Sequence, residues 1–344
     1  MKSPQGNWLR SNGFVLGLVV AVALGFAFPG PGARGGVLHA DAVNNFGIAL
    51  ILFLQGLSLS VEKIKRGAGN WRLHLLIQAF TFGIFPLVGW FLYKAMPHLW
   101  TSQPLSIRDG FLYLCVLPST VSTSVVLTAI AHGNTAAALF NAALSNILGV
   151  FLTPLLVHLL MQSTGQSAPF GPLLLKIMLL TLLPFFVGMF LRKGLVEYVE
   201  KHRVWVSRLS NTVILFIVYC AFCDSVRERI WQRYPASMTA LTLTWVAGLF
   251  TTMSGLIYVI SRLLHLAEED FIAAYFCSVK KTLAMGVPLA MLIFGARADL
   301  SLILLPIMFY HPLQLFVNGL LANHWAKRSQ TNIAGPSNEV VNPA

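Results

Sequence analysis

Ser278-Val279-Lys280-Lys281-Thr282-Leu283-Ala284-Met285-Gly286-Val287-Pro288 lies in the middle of an apolar run from Phe271 to Phe294. Lys280 is ten residues past Asp270, and at about 1.5 Å per helical residue that is roughly 15 Å, half of a hydrocarbon core about 30 Å thick. Two adjacent lysines therefore sit near the midplane of any bilayer this run crosses. A charge there costs roughly 3 kcal/mol on insertion scales, so it marks a functional site by default. The bland alternatives are snorkelling to an interface, which is hard to satisfy from this depth, and burial that holds one or both lysines neutral. In one continuous helix, adjacent residues point about 100° apart, so the two ammonium groups would have different surroundings. Ser278 would share a face with Lys281 and Thr282, a stripe of hydroxyls beside one charge, and Lys280 a face with Cys277 and Ala284.

The rest of the chain is equally apolar. Of 344 residues 56% are hydrophobic and only 10% charged, and the mean hydropathy is +0.71, far from a soluble domain, where about a quarter of residues are charged. A helical crossing needs roughly 20 mostly apolar residues. Ten such runs can be read: 12–28, 43–61, 73–95, 110–130, 135–161, 172–191, 206–223, 238–264, 271–294 and 300–325. Pro118, Pro154, Pro184, Pro288, Pro306 and Pro312 interrupt them, which suits helices lining a cavity better than a passive anchor. The first run is read as a retained helix rather than a signal peptide, because no clean small-residue cleavage site follows it.

The net charge of +12 does not indicate a nucleic-acid partner, since the basic residues mostly lie between the runs. With the N-terminus inside, thirteen lysines and arginines fall on the cytoplasmic side and seven on the other, so both termini are expected in the cytoplasm of a cell whose inner membrane the chain spans. Residues 1–328 form one transporter domain and the polar stretch 329–344 a disordered tail. The segments Glu62 to Arg72 and Arg192 to Arg203 read as short linkers. Cys220 and Cys223 form a lone C-x-x-C without the further ligands a metal needs.

The two halves of the chain match weakly at an offset of 158 residues. Val121–Val126 aligns with Val279–Ala284, and Thr153-Pro154-Leu155 with His311-Pro312-Leu313. Five runs per half is an odd number, so the halves, about 12–161 and 172–325, would be inverted repeats with a site near the midplane where runs four and nine meet. The twelve acidic residues all fall in loops or at run ends, so none neutralises the lysines. In run four, Pro118 frees a carbonyl upstream and is followed at once by Ser119, Thr120, Ser122, Thr123 and Ser124. An unwound helix of this kind offers amides to an anion and carbonyls to a cation. Asn141 and Asn146 follow closely and complete the candidate site. Gln314 and His311 read as interhelical glue, with a proton-shuttle role for His311 as the alternative.

The stretches Phe53–Ser60, Leu117–Thr128, Gly133-Asn134, Phe140–Leu144 and Ser278–Pro288 resemble the bile acid:sodium symporter family, solute carrier family 10, and within it the seventh-member-like branch. The resemblance implies an all-α integral membrane protein of ten transmembrane helices in two inverted five-helix repeats. Helices one, two, six and seven would form a panel, and the other six a core in which discontinuous helices four and nine cross. It further implies two sodium ions at that crossing. Their ligand positions fall here on Thr123 and Ser124, on Ala138 and Ala142, and near Cys277 or Ser278, so most of the oxygen and carboxylate ligands are missing.

The function expected is therefore secondary transport of a small organic anion by alternating access, with a lysine ammonium standing where sodium would sit. Transport would be sodium-independent or coupled to lysine protonation. Alternatives are a cation/proton exchanger of similar architecture, which the lack of a membrane carboxylate disfavours, and a regulatory membrane protein without transport. An intramembrane hydrolase pairing Ser124 with Lys281 is a fourth. No cofactor is expected.

Overall fold

The computed structural model describes residues 4–58, 69–101, 103–162, 170–233, 237–295 and 297–333. Among these there is no strand. The helices are α1 (Pro4–Ala27), α2 (Ala40–Ser58), α3 (Trp71–Leu99), α4 (Leu105–Val116), α5 (Ser122–Ile130), α6 (Thr135–Gln162), α7 (Phe170–Lys201), α8 (Arg203–Arg227), α9 (Ser237–Leu263), α10 (Glu268–Ser278), α11 (Leu283–Phe294) and α12 (Leu300–Ile333). Among the described residues seven stretches are long and apolar enough to cross a membrane: Ala40–Leu57, Trp71–Leu99, Thr135–Met161, Val204–Arg227, Ser237–Leu263, Glu268–Phe294 and Leu300–Lys327. The protein is an all-α, multi-pass membrane protein. Leu16–Ala27 and Leu182–Arg192 are shorter apolar helices, and α4 and α5 divide the remaining run between them.

Over the described residues the apolar runs fold as helix apart from breaks in the fourth and ninth, because in lipid the backbone must satisfy its own hydrogen bonds. The ends differ from expectation. The segment Arg192 to Arg203 is no linker: α7 continues to Lys201 and only His202 separates it from α8. Likewise α12 runs on past Arg328 to Ile333, so the expected tail begins as helix, while 334–344 lie outside the described residues. Most of Glu62 to Arg72 also lies outside them.

Glycine sets the closest helix contact. A Cβ on Gly56 would stand 2.0 Å from the Phe185 carbonyl oxygen, and one on Gly188 2.1 Å from that of Phe53. These two glycines let α2 and α7 pack backbone to backbone, the small-residue contact expected where lipid supplies no hydrophobic drive. α1 lies along α8, and α8 also packs on α2. α12 packs against α4, α5, α9 and α11, and its long helix supports the region where two breaks meet.

Those breaks separate α4 from α5 and α10 from α11. Residues 117–121 and 279–282 are non-helical, and Thr282 N–H donates to the Pro118 carbonyl at 3.0 Å, so the two interruptions cross in direct contact. Both ends of the crossing are clamped. At one end Asp270, in the first turn of α10, accepts from Asn70 Nδ2 and Asn134 Nδ2, each at 2.8 Å. The same two asparagines cap α3 and α6 by accepting from Leu73 N and Ala137 N. At the other end Arg297, in the turn after α11, pairs with buried Asp109 of α4 at 2.8 Å and with Asp299 at 2.9 Å. Asp109 is thus a paired, buried residue of a helix and not a loop carboxylate.

Candidate functional site

Lys280 and Lys281 are both 0% exposed, so neither snorkels. They do not lie on a helix: α10 stops at Ser278 and α11 starts at Leu283. The helical-face grouping of Ser278 with Lys281 and Thr282, and of Lys280 with Cys277 and Ala284, therefore fails, because it presumes an unbroken 3.6-residue period.

Lys281 is fully engaged. Its Nζ donates to the carbonyls of Leu117 (2.8 Å), Cys115 (3.1 Å) and Thr81 (3.2 Å), which uses all three donors of an ammonium. It also lies 3.9 Å from the centroid of the Phe85 ring, within cation–π range. Two prolines account for two of these acceptors, the Cys115 and Thr81 carbonyls. Pro118 has no N–H, so the Cys115 carbonyl three residues earlier loses a partner at the end of α4, and Leu117 N–H turns back to Leu114 O. In α3 a π turn spans Phe80–Ile84, with Phe85 N–H bonded to Phe80 O. The next bond in that register would join Thr81 O to residue 86, which is proline. The freed carbonyls expected to receive a cation do so, and the cation is the protein's own.

Gln314 of α12 holds the ninth-run break open. Lys281 N–H donates to its Oε1, and its Nε2 donates to Lys281 O, both at 2.8 Å. An N–H only donates and a carbonyl only accepts, so the amide orientation is fixed. Nε2 also meets His311 Nδ1 at 3.0 Å, which must then accept, leaving the neutral imidazole with its proton on Nε2. Tyr310 and Tyr113 hydroxyls donate to Val279 O and Gly286 O, each at 2.6 Å. Sequence reading ranks Gln314 as glue and passes over both tyrosines and the α3 π turn, because nothing local shows which backbone groups a distant break will strand.

The hydroxyl run divides by role. Thr120 Oγ1 bonds Thr123 Oγ1 and Ser124 Oγ, and Ser124 Oγ donates to Phe276 O across the crossing at 3.0 Å. Ser119 N–H donates to Ser145 Oγ, Ser119 O accepts from Asn146 Nδ2, and Thr153 Oγ1 donates to Val116 O. The Ser122 side chain lies outside the described residues. Ser119 Oγ, Ser278 Oγ and Lys280 Nζ are buried without a hydrogen-bond partner. Asn141 is not part of this assembly: it bonds His74 Nδ1 and Ala137 O and receives Gln78 Nε2, facing α3. No Ser124–Lys281 dyad exists, since each is bonded elsewhere.

Ala138 and Ala142 bring methyl groups to the positions where sodium ligands were anticipated. Their carbonyls accept from Cys277 Sγ (3.5 Å) and Asn146 Nδ2 (2.8 Å). Of the anticipated positions Ser278, among the described residues, keeps an unpartnered side-chain oxygen, and none is charged; sodium wants several free oxygens and a compensating negative charge, which this donor set does not fit.

Residues 12–327 match the model of the SBF-like CPA transporter family (DUF4137). The chain belongs to that family. Among its relatives, protein PA2026 of Pseudomonas aeruginosa is 38% identical over 316 residues, covering 92% of this chain and 93% of the other. YfeH of Escherichia coli, provisionally named a symporter, is 34% identical over 318 residues, 92% and 93% of the two chains. Sodium/bile acid cotransporter 7 of Rattus norvegicus is 30% identical over 316 residues, 91% and 92%. The resemblance to the seventh-member-like branch of the bile acid:sodium symporters is thereby upheld. The family is one of secondary transporters and not of enzymes, so the chain carries a small-molecule cargo across the membrane and the hydrolase alternative is closed.

Proposed function

We propose that the protein moves a small organic anion across the bacterial inner membrane by alternating access without sodium, the Lys281 ammonium serving as a tethered replacement for the metal. The observation that carries this is the set of three backbone carbonyls and one aromatic face around Lys281 Nζ. A fixed positive charge at the crossing does what a bound cation would do: it ties the end of α4 to the α10–α11 break and to α3. With the charge supplied by the chain, no ion need be recruited.

The ten-helix reading, with both termini cytoplasmic, assigns α4 with α5 to the fourth pass and α10 with α11 to the ninth. Two features support an inverted repeat. The start of each broken pass is clamped to the turn after the other, Asp270 to Asn134 and Asp109 to Arg297, as antiparallel crossing helices of opposite entry would require. The close packing of α2 on α7, α1 on α8 and α8 on α2 groups the four helices expected for a panel. An exchanger using His311 is disfavoured because its Nδ1 is occupied by Gln314.

Uptake of labelled taurocholate into proteoliposomes, with sodium or with potassium as the sole cation, tests the reading. Equal rates are expected. A strict requirement for sodium would sink it.

A further inference from the structure

The polar network that joins α3 to α6 stands clear of the crossing. His74, in the first turn of α3, and Gln78, one turn on, share a face and both meet Asn141 of α6. Every bond in the network has a fixed direction. Asn141 Nδ2 donates one hydrogen to Ala137 O at 2.9 Å and the other to His74 Nδ1 at 2.8 Å. A backbone carbonyl only accepts, so the Asn141 amide has one allowed orientation. The same holds for Gln78, whose Nε2 reaches Asn141 O at 3.1 Å and Asn141 Oδ1 at 3.2 Å. His74 Nδ1 is therefore the bare, accepting nitrogen of a neutral ring.

A proton on that nitrogen sets one N–H against another, in a residue only 6% exposed whose ring lies on Phe140 with centroids 4.1 Å apart. The bond to Asn141 then breaks. Gln78 Oε1, buried without a hydrogen-bond partner, is the acceptor left over for the charged ring. The start of α3 packs on α6 and α10. α6 carries no charged side chain, and its one titratable group, His158, lies near its far end. α10 brings Glu268, paired with Arg262, exposed Glu269, and Asp270, held by Asn70 one turn before His74. Of its other titratable groups, Tyr275 stacks on Trp325 and Cys277 Sγ meets Ala138 O. On α3 itself the Arg72 guanidinium lies 5.7 Å from the centre of the exposed Trp71 ring. The acidic first turn of α10 thus lends an imidazolium its counter-charge.

Further along α3, Thr81 O and the Phe85 ring hold Lys281, so α3 is a strut between this network and the crossing. We propose that His74 is a proton-operated latch. Neutral, it fastens α3 to α6 and keeps the cradle of Lys281 in place. Protonated from the face where α3 begins, the cytoplasmic one in the topology above, it releases α6 and stops transport. Histidine is the side chain whose charge changes between about pH 5 and about pH 8, so the latch reads the acidity of the cell interior. The latch itself follows from the hydrogen-bond directions; its hold on transport rests on the transport reading above.

Two measurements on the full chain test it, in sodium-free proteoliposomes with the same pH on both sides. Hydrogen exchange, corrected for the intrinsic pH dependence of amides, should show residues 71–79 and 135–142 losing protection at least about tenfold from about pH 8 to about pH 5, with α12 unchanged. Uptake of labelled taurocholate, whose sulfonate stays ionised throughout, should fall at least about tenfold over the same range, the effect of one buried hydrogen bond lost. His74→Asn puts a neutral amide oxygen in place of Nδ1 and takes up no proton. It should keep wild-type protection and uptake at the alkaline end and hold both through the acid end. Asn141→Ala leaves the ring no donor, so its exchange should be fast and its uptake low at both ends. Wild-type protection that does not change with pH, which needs no variant to fold, overturns the latch. A loss as steep in His74→Asn as in wild type overturns it too. Constant uptake while protection is lost overturns its hold on transport. Protection lost as expected, with no taurocholate carried at any pH, upholds the latch and tells against the transport reading.

Discussion

Replacing Lys281 with methionine keeps the length and apolar bulk of the side chain and removes the ammonium. Three buried carbonyls, of Thr81, Cys115 and Leu117, then lose the donor that reaches them at 2.8–3.2 Å. Each unsatisfied group costs about 1–3 kcal/mol, a gross loss of roughly 3–9 kcal/mol. Against this stands the desolvation of the ammonium, several kcal/mol that the variant no longer bears. The net destabilisation expected is about 3 kcal/mol, the scale seen when one partner of a buried charged cluster is removed. In a chain of this size that lowers the melting temperature by about 5 °C. A thiol-reactive dye read out during a thermal ramp in detergent suits the measurement, since Cys115 and Cys277 are buried beside the crossing. Lys280→Met is the built-in contrast, because its amine satisfies nothing in the fold, and its melting temperature should be unchanged or higher. The reasoning is refuted if the two variants lose stability equally, or if Lys281→Met melts with wild type.

Gln314→Leu strands the N–H and C=O of Lys281, both of which Gln314 satisfies at 2.8 Å, and should cost about 2–4 kcal/mol. Faster hydrogen exchange at residues 279–282, with the ends of α10 and α11 unaffected, is the expected signature, and unaltered exchange there would contradict it. Asp299, in the turn before α12, gives the pH dependence: burial raises its pKa, but the Arg297 and Ser106 hydrogen bonds and the guanidinium charge prevail and hold it below its ordinary value. Its contribution to stability is therefore present above pH 3.8 and is lost as pH falls through the lowered native value. Asp299→Asn should flatten that acid limb of a stability–pH curve; a limb as steep as in wild type would show that another group carries it.

Parts of the site are legible in the sequence because they are local. Pro118 announces a stranded carbonyl wherever it occurs in an apolar run, and the hydroxyls after it announce a break that side chains must help to satisfy. The linker expected over Arg192 to Arg203 fails for the complementary reason: charge and polarity mark where lipid ends, and a helix can run on into water. Asn141 groups with the crossing by its nearness in sequence to Asn146, five residues on, yet that spacing turns it to another face of α6, where His74 and Gln78 take it up. Asp109 reads as a loop carboxylate because its partner lies 188 residues away.

The sequence by itself determined that the chain lives in lipid, that its runs are helices, and that two lysines occupy the midplane with no carboxylate to pair them. Composition and proline position suffice for that, since the cost of burying charge and of losing an N–H does not depend on the partner. Which lysine is structural and which is free was decided only by the tertiary structure. Adjacent residues have the same chemistry on paper, and they part company here because the chain leaves the helix between Ser278 and Leu283, so that Lys281 reaches the carbonyls freed by Pro86 and Pro118 while Lys280 reaches none.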